Sequence, residues 1–169
     1  MSLSFYVHIP YCVKRCGYCD FNTYTPSELQ DGATLEIVSN DYIDAVLREL
    51  ESAPTSPVPT IFFGGGTPSL LPPSDLGRVI AAIRNRFDLA PDAEITLEAN
   101  PDSVTAEKLA EYLKVGFNRI SFGMQSAKPH VLAALDRTHN PENVGKAVSM
   151  ARAAGFKSIS VDLIYGTPG

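Results

Sequence analysis

The feature that most constrains the fold is an alternation of short apolar runs with segments of helical spacing. The apolar runs have the length of buried strands and lie at 5–9, 60–63, 93–99, 118–122 and 158–164. Helical spacing occurs between them, at 41–51, 74–87, 105–113, 131–135 and 141–154. This alternation predicts an α/β fold with a parallel sheet and right-handed crossovers. Both a doubly wound sheet and an open segment of a β/α barrel fit the pattern.

A few residues mark the expected ends of these elements. Ser74 and Thr105 are predicted to cap helices, and Gly116 and Gly155 are predicted to end two of them. The connections are predicted at the polar segment 25–33 and at Pro54, Pro57 and Pro59.

Composition excludes several classes of protein. The 169 residues are 44% hydrophobic and 20% charged, which argues against disorder and fits one globular domain. The net charge of −5 argues against a protein that coats nucleic acid. No apolar run has the roughly 20 residues of a membrane span, so no integral membrane segment is expected. The N-terminus lacks the pattern of a signal peptide. We therefore expect a cytoplasmic protein.

All three cysteines lie in one short segment, with the spacing C-x3-C-x2-C at Cys12, Cys16 and Cys19. An odd, tight set is not a disulfide framework. The segment follows the first predicted strand, where β/α folds place their chemistry. Three thiolates can hold three irons of a cubane cluster and leave the fourth open to a substrate. The alternative is a zinc site, which needs a fourth ligand; His8 is a candidate, although it lies in a predicted strand.

Two further groups of residues are candidates for a site. Gly64 to Thr67 end the second predicted strand, where glycines allow a ligand to approach the backbone; a plain turn is the alternative. This segment fits neither a phosphate loop nor a dinucleotide fingerprint. Glu98 and Asp162 are acids near the carboxyl ends of apolar strands, where an acid needs a partner. They belong either to a site or to structural ion pairs.

Other polar residues give weaker signals. The three histidines are candidate heme ligands, but a lone histidine is more often an ordinary polar residue, and His139 is better interpreted as part of a helix N-terminus. The histidines are His8, His130 and His139. Lys14 and Arg15 lie between the cysteines, where they could offset the charge of an anionic cluster or be ordinary solvated charges.

The cysteine segment with its flanks, Tyr6-Val-His-Ile-Pro-Tyr-Cys12-x3-Cys16-x2-Cys19, resembles the signature of the radical S-adenosylmethionine (SAM) superfamily. The Tyr-x-His-Ile-Pro part is similar to the branch that contains the oxygen-independent coproporphyrinogen III oxidases and their relatives. The resemblance covers the whole chain, and further segments that carry it are 62–69, 97–101, 119–126 and 162–168.

One departure points to a subfamily. The oxidases usually carry another cysteine two residues after the third ligand, whereas this chain has Phe21 there. The run Cys19-Asp-Phe-Asn resembles the HemW subfamily of heme chaperones instead. The resemblance therefore implies a heme chaperone, with oxidative decarboxylation of coproporphyrinogen III as the first alternative and a zinc-binding structural module as the second. Whether the protein is an enzyme stays open.

The resemblance also implies cofactors, partners and site residues. A 4Fe-4S cluster would be held by Cys12, Cys16 and Cys19. SAM would be bound by Tyr6, Tyr18, Gly65, Gly66, Thr67, Glu98, Gln125, Arg137 and Asp162. The fork of Arg137 suits a carboxylate. The expected partners are heme or a porphyrin, with its site outside this chain, and an electron donor such as a flavodoxin or ferredoxin. No nucleic acid is expected as a partner.

The implied fold is a partial (β/α) barrel of the radical SAM type that stops after the fifth strand. Complete β/α barrels need roughly 250 residues. We therefore expect residues 1–169 to be a radical SAM core domain that lacks the C-terminal part of the barrel and a C-terminal domain.

Overall fold

Five parallel strands form one sheet in the order in which they occur along the chain. The computed structural model describes residues 2–29 and 34–167. The strands are β1 (Phe5–Ile9), β2 (Pro57–Gly65), β3 (Asp88–Ala99), β4 (Arg119–Gln125) and β5 (Ser158–Leu163). The helices are α1 (Leu35–Leu50), α2 (Pro73–Arg86), α3 (Ala106–Val115), α4 (Pro129–Ala134) and α5 (Pro141–Ala154).

This strand order distinguishes the two folds that the sequence pattern allowed. A doubly wound sheet reverses its strand order at a switch point. Here the order is β1-β2-β3-β4-β5 without reversal. Right-handed crossovers in a sequential order place every connecting helix on the same face of the sheet. The sheet is therefore an open segment of a β/α barrel, which confirms the predicted fold class.

The register of the strands gives the sheet two different faces. Side chains that point towards the helices are apolar and fully buried, as Phe63, Leu97 and Ile120 show. The preceding residue on each of these strands points to the other, inner face; in this row Phe62 pairs with Thr96, and Thr96 with Arg119. The inner face, which would line the barrel, therefore collects the polar side chains.

Several predicted ends are confirmed. The Thr105 hydroxyl accepts a hydrogen bond from the Lys108 amide at the start of α3, and Gly116 ends that helix with a positive φ. Gly155 ends α5 in the same way. The predicted cap at Ser74 is wrong, because α2 begins one residue earlier, at Pro73. Proline suits this first position, since its φ is fixed and its missing N–H would have no partner there.

The prediction that Pro57 and Pro59 lie in a connection is also wrong. Pro57 and Pro59 lie inside β2, which begins at Pro57. The pairing of β2 with β3 shifts between Val58 and Thr60, so Pro59 is left out of the paired residues. Because proline has no N–H to donate, such an irregularity is where a strand tolerates it.

Two further boundaries differ from the prediction. Helix α1 begins at Leu35 rather than at residue 41, and Pro26–Glu28 form a 3-10 turn within the predicted loop, of which residues 30–33 lie outside the described residues. None of the helices in the described ranges is long and apolar enough to cross a membrane.

Candidate functional site

A cavity of about 480 Å³ opens at the carboxyl end of the sheet. Its wall is built from the segments that follow the strands, together with acids from β3 and β5. The predicted site residues in this wall are Cys12, Cys16, Tyr18, Cys19, Gly65, Gly66, Thr67, Glu98, Gln125, Arg137 and Asp162. Residues far apart in the sequence are thus brought to one place by the parallel strands.

Tyr6 is the predicted site residue that does not line this cavity. It lies on the inner face of β1, where its ring stacks on Phe62 with centroids 6.0 Å apart and an interplanar angle of 18°. Burial, with a smaller contribution from the charge of Glu98, raises the pKa of Tyr6. Because Glu98 lines the cavity, Tyr6 lies close to the cavity without being part of its wall. Its contact with SAM stays a prediction.

The three cysteines lie on a loop formed by residues 10–24, the cysteine loop, which is closed by its own backbone. The Tyr24 amide donates to the Pro10 carbonyl at 2.6 Å, and the Cys12 amide donates to the Tyr24 carbonyl at 3.0 Å. In the middle of the loop, the Gly17 amide donates to the Leu135 carbonyl at 3.1 Å. The loop is consequently fixed at its ends and at its tip.

Two of the cysteines have donors beside their sulfur atoms. The Thr67 hydroxyl lies 3.7 Å from Cys12 Sγ, and Arg137 Nη1 lies 3.5 Å from Cys16 Sγ. Burial raises the pKa of the Cys12 thiol, while the Thr67 hydroxyl opposes this effect. Burial also raises the pKa of the neighbouring Tyr18 to about 12, so this phenol is protonated at neutral pH. The Thr67 hydroxyl thus favours the thiolate of Cys12, the form that binds metal.

The arrangement of the cysteines bears on the zinc alternative. Thiolates around a single zinc at about 2.3 Å lie within about 4 Å of one another. Within residues 2–29 and 34–167, no three His, Cys, Asp or Glu side chains converge closely enough to hold one metal ion. The metal content of the reconstituted protein distinguishes a cubane cluster from a single zinc ion.

The proposed fourth zinc ligand, His8, has another role in the structure. Its Nε2 donates to the Asn22 carbonyl at 2.8 Å, so this nitrogen carries the proton. Its Nδ1 accepts from the Tyr6 hydroxyl at 3.4 Å. His8 thus ties β1 to the cysteine loop.

The glycine run at the end of β2 makes close contacts within the protein. A Cβ on Gly64 would lie 2.8 Å from Glu98 Oε2, and a Cβ on Gly66 would lie 2.6 Å from the Tyr11 carbonyl oxygen. The Gly66 and Thr67 amides donate to the carbonyls of Ile9 and Tyr11, at 2.7 and 2.8 Å. The glycines therefore allow the end of β2 to pack closely against the cysteine loop. This close packing is more than the ordinary turn that was the alternative interpretation of the segment.

Glu98 and Asp162 form no ion pair among the described residues. The Gly65 amide donates to Glu98 Oε2 at 3.3 Å, and the Ser121 hydroxyl donates to Asp162 Oδ1 at 2.8 Å. Burial raises the pKa of Glu98, and the negative charge of Asp162 adds to this effect. Two acids held by neutral donors beside a cavity are typical of a binding site rather than of structural ion pairs.

Arg137 is held over the cavity with one donor left over. Its Nη2 donates to the Gly123 carbonyl at 2.6 Å. Its Nε is buried and has no hydrogen-bond partner. A buried donor without a partner carries a free-energy cost that a bound acceptor would relieve. This atom therefore fits the carboxylate end of a ligand such as SAM.

The structure adds cavity residues that the sequence analysis did not single out. Among them are Asn100, Asp102, Ser103, Asp136 and Thr138. Asn100 directly follows the carboxyl end of β3, a position that could have indicated it. Asp136 and Thr138 follow the short helix α4, and nothing in the local sequence marks them.

The remaining candidates lie apart from one another. His139 is 4% exposed and lies against the Met124 backbone, outside the cavity wall; burial lowers its pKa. Lys14 faces the cavity. Arg15 forms an ion pair with Glu28 at 3.0 Å, so it is neither beside the cluster site nor a purely solvated charge.

Comparison with known proteins agrees with this geometry. Residues 6–169 match the family profile described as the radical SAM superfamily. The chain is 48% identical to the heme chaperone HemW of Mycobacterium tuberculosis, over 97% of this chain and 42% of that protein. It is 41% identical to HemW of Escherichia coli, over 98% of this chain and 43% of that protein. The chain thus spans about two fifths of the length of these relatives.

A solved structure gives the same result. The coproporphyrinogen III oxidase HemN of Escherichia coli, described as a radical SAM enzyme, superposes with a TM-score of 0.84 at 33% identity, over 99% of this chain and 38% of that one. The maturase HydG superposes with a TM-score of 0.63 at 18% identity, over 96% of this chain and 35% of that one, which supports the fold only. By fold, motifs and family profile, the chain belongs to the radical SAM superfamily.

Proposed function

We propose that the chain forms the cofactor-binding part of a heme chaperone that carries a 4Fe-4S cluster and SAM. The observation that carries this proposal is that three cysteines, two acids and a buried arginine donor line one cavity. The names of two relatives, heme chaperones at 48% and 41% identity, support the heme part of the proposal.

In this proposal, different residues of the chain bind the cluster and SAM. Cys12, Cys16 and Cys19 ligate the cluster through their thiolates. Arg137 offers its free Nε to the carboxylate of SAM, and Glu98 and Asp162 accept hydrogen bonds from donor groups of the same molecule. When bound and reduced, the cluster and SAM supply one-electron chemistry, for which a flavodoxin or ferredoxin would provide the electron.

Phe21 favours the chaperone over the oxidase. It lines the cavity and is 60% exposed, so the position that carries an additional cysteine in the oxidases is part of this site. A phenyl ring there supplies apolar surface and no thiol. The structural similarity to HemN keeps oxidative decarboxylation as the second candidate.

Cluster binding is tested by anaerobic reconstitution of the complete natural protein. We expect about four irons and four sulfides per chain, with bleaching in air. Cys16→Ala should lose the cluster, because one iron loses its thiolate. Lys14→Ala, a change in the same loop that removes no ligand, should keep it. Stable, stoichiometric zinc without iron uptake would contradict the proposal.

The choice between the two functions needs a separate experiment. The reconstituted protein is titrated with heme and, in parallel, assayed for carbon dioxide release from coproporphyrinogen III. A chaperone should bind heme without turnover of the porphyrinogen. Turnover that depends on SAM would instead establish the oxidase.

A further inference from the structure

A row of side-chain hydrogen bonds crosses the inner face of β4 and β5 and ends at Asp162. Arg119 Nη2 donates to Ser160 Oγ at 3.0 Å, Ser160 Oγ donates to Ser121 Oγ at 2.8 Å, and Ser121 Oγ donates to Asp162 Oδ1 at 2.8 Å. Asp162 lines the cavity, whereas the other three residues lie beneath it. The row therefore connects a residue of the cavity wall with residues that lie outside that wall.

The direction of these bonds is fixed by chemistry. A guanidinium group has no acceptor, and each serine hydroxyl has one proton to give. Arg119 must therefore donate to Ser160, which leaves the Ser160 proton for Ser121 and the Ser121 proton for the carboxylate. Ser121 is 4% exposed, so water has little access to replace its hydroxyl.

The base of the row is anchored as well. Arg119 Nη1 donates to the Thr96 hydroxyl at 3.2 Å and lies 3.9 Å from Glu94 Oε1. Strand pairing sets Ser121 directly opposite Ser160, and Gly123 opposite Asp162. Because Gly123 has no side chain, the donor that reaches Asp162 comes from Ser121, one step lower on the same face.

We propose that Ser121, Ser160 and Arg119 are positioning residues that fix the orientation of the Asp162 carboxylate. With Oδ1 held by Ser121, the second oxygen is turned to the cavity to accept a hydrogen bond from SAM. This inference rests on the proposed function, in which Asp162 contacts SAM, but it concerns residues that make no such contact.

The first measurement is the SAM dissociation constant of the complete, anaerobically reconstituted protein, determined by calorimetry. Ser121→Ala should weaken SAM binding about tenfold, the effect of about 1.4 kcal/mol, while iron content stays unchanged. Ser158→Ala is the matched control, because Ser158 lies on the same strand and the same face but outside the row. Ser160→Thr, which keeps the hydroxyl, should bind SAM nearly as well as the wild type.

A double-mutant cycle separates positioning from a general structural effect. Asp162→Ala should weaken SAM binding, and adding Ser121→Ala to it should cause no further loss, since the serine acts through the carboxylate. A further tenfold loss in the Asp162→Ala background would overturn the inference, as would an equal loss in Ser158→Ala. If Ser121→Ala fails to fold, Ser160→Ala is the second variant; it should still weaken SAM binding, but by less than tenfold, because the Ser121 hydroxyl can still donate to Asp162.

The same variants distinguish the assignment of Asp162 to the SAM site from the positioning role of the serines. If Asp162→Ala binds SAM normally, the assignment of Asp162 to the SAM site is wrong and the positioning role is overturned with it. If Asp162→Ala is weakened but Ser121→Ala and Ser160→Ala are not, the site assignment stands and only the positioning role is wrong.

Discussion

Glu98 shows at the scale of a single residue how a binding site differs from the rest of the core. Its carboxylate is largely buried, receives one backbone amide from Gly65 and lies near the like charge of Asp162. The burial and the like charge disfavour the ionised form, so the pKa of Glu98 is raised. Such an arrangement is retained at some cost in stability when the charge has a ligand to meet.

We therefore expect Glu98→Gln to raise the melting temperature at neutral pH while it weakens SAM binding. Because the pKa of Glu98 is raised in the folded protein, its favourable contribution is present in full below the ordinary carboxyl pKa and is lost as the pH rises through the raised value. Glutamine has no proton to lose, so the difference from wild type should shrink at acidic pH.

Thermal unfolding of the cluster-free protein at neutral and at acidic pH measures this difference. Glu111→Gln, on the exposed side of α3, is the control for loss of a carboxylate in general. A melting temperature that falls in Glu98→Gln at neutral pH would show that the carboxylate stabilises the fold.

The residues of the site could be predicted from the sequence to different extents. The cysteines, Glu98 and Asp162 could be found because each contrasts with its immediate neighbours in the chain. Asp136 could not be found, because it reaches the cavity only through the packing of α4 against the cysteine loop. The row of hydrogen bonds from Arg119 to Asp162 could not be predicted either, since it depends on the register between β4 and β5.

At the scale of elements, the central contact is between the cysteine loop and the end of β2. Gly66 packs against the carbonyls of Ile9 and Tyr11 so closely that no Cβ fits, and its amide and that of Thr67 bind the same two carbonyls. The segment at the end of β2 thus holds the cysteine loop in place and also lines the cavity. Any side chain at Gly66 must displace backbone, which cannot rotate away as a side chain can.

We expect Gly66→Ala to lower the stability by about 1–3 kcal/mol, typical of overpacking, and to reduce the iron bound on reconstitution. Gly145→Ala is a matched control in α5, where a new Cβ would meet nothing within 4 Å. It should stabilise the protein by about 0.5–1 kcal/mol, because alanine favours a helix. Urea unfolding and iron analysis of both variants provide the check. Normal iron content in Gly66→Ala would mean that the loop does not depend on this contact.

The elements themselves were predicted well where their ends have a local chemical cause. Helices α3 and α5 end at glycines with positive φ, which the sequence shows directly. Strand β2 was predicted too short, because the pairing irregularity that accommodates Pro59 arises from the partner strand β3 and leaves no local trace.

At the scale of the whole molecule, the helices bury the strands of the sheet unevenly. The helix-facing side chains of β1 to β4 are buried, but on β5 Val161 is 41% exposed and Leu163 is 64% exposed. Among the described residues, β5 also pairs with β4 only. An edge strand with exposed apolar side chains is prone to associate with other chains.

The 169-residue chain is therefore expected to self-associate in a concentration-dependent way, and Leu163→Lys should shift it towards the monomer. Tyr165→Lys is the control, since Tyr165 is 97% exposed but lies outside the strand. Sedimentation velocity over a range of concentrations measures the effect. A wild-type chain that stays monomeric throughout would show that this edge does not mediate association.

The closure of the cysteine loop separates the residues that shape the loop from those that act in it. The bonds that join its ends are made by the backbone of Pro10, Cys12 and Tyr24, and the Gly17 amide fixes its middle. The side chains between these points do not form those bonds, and that of Val13 is 71% exposed. Evolution can therefore exchange such side chains freely while the three cysteines keep their places.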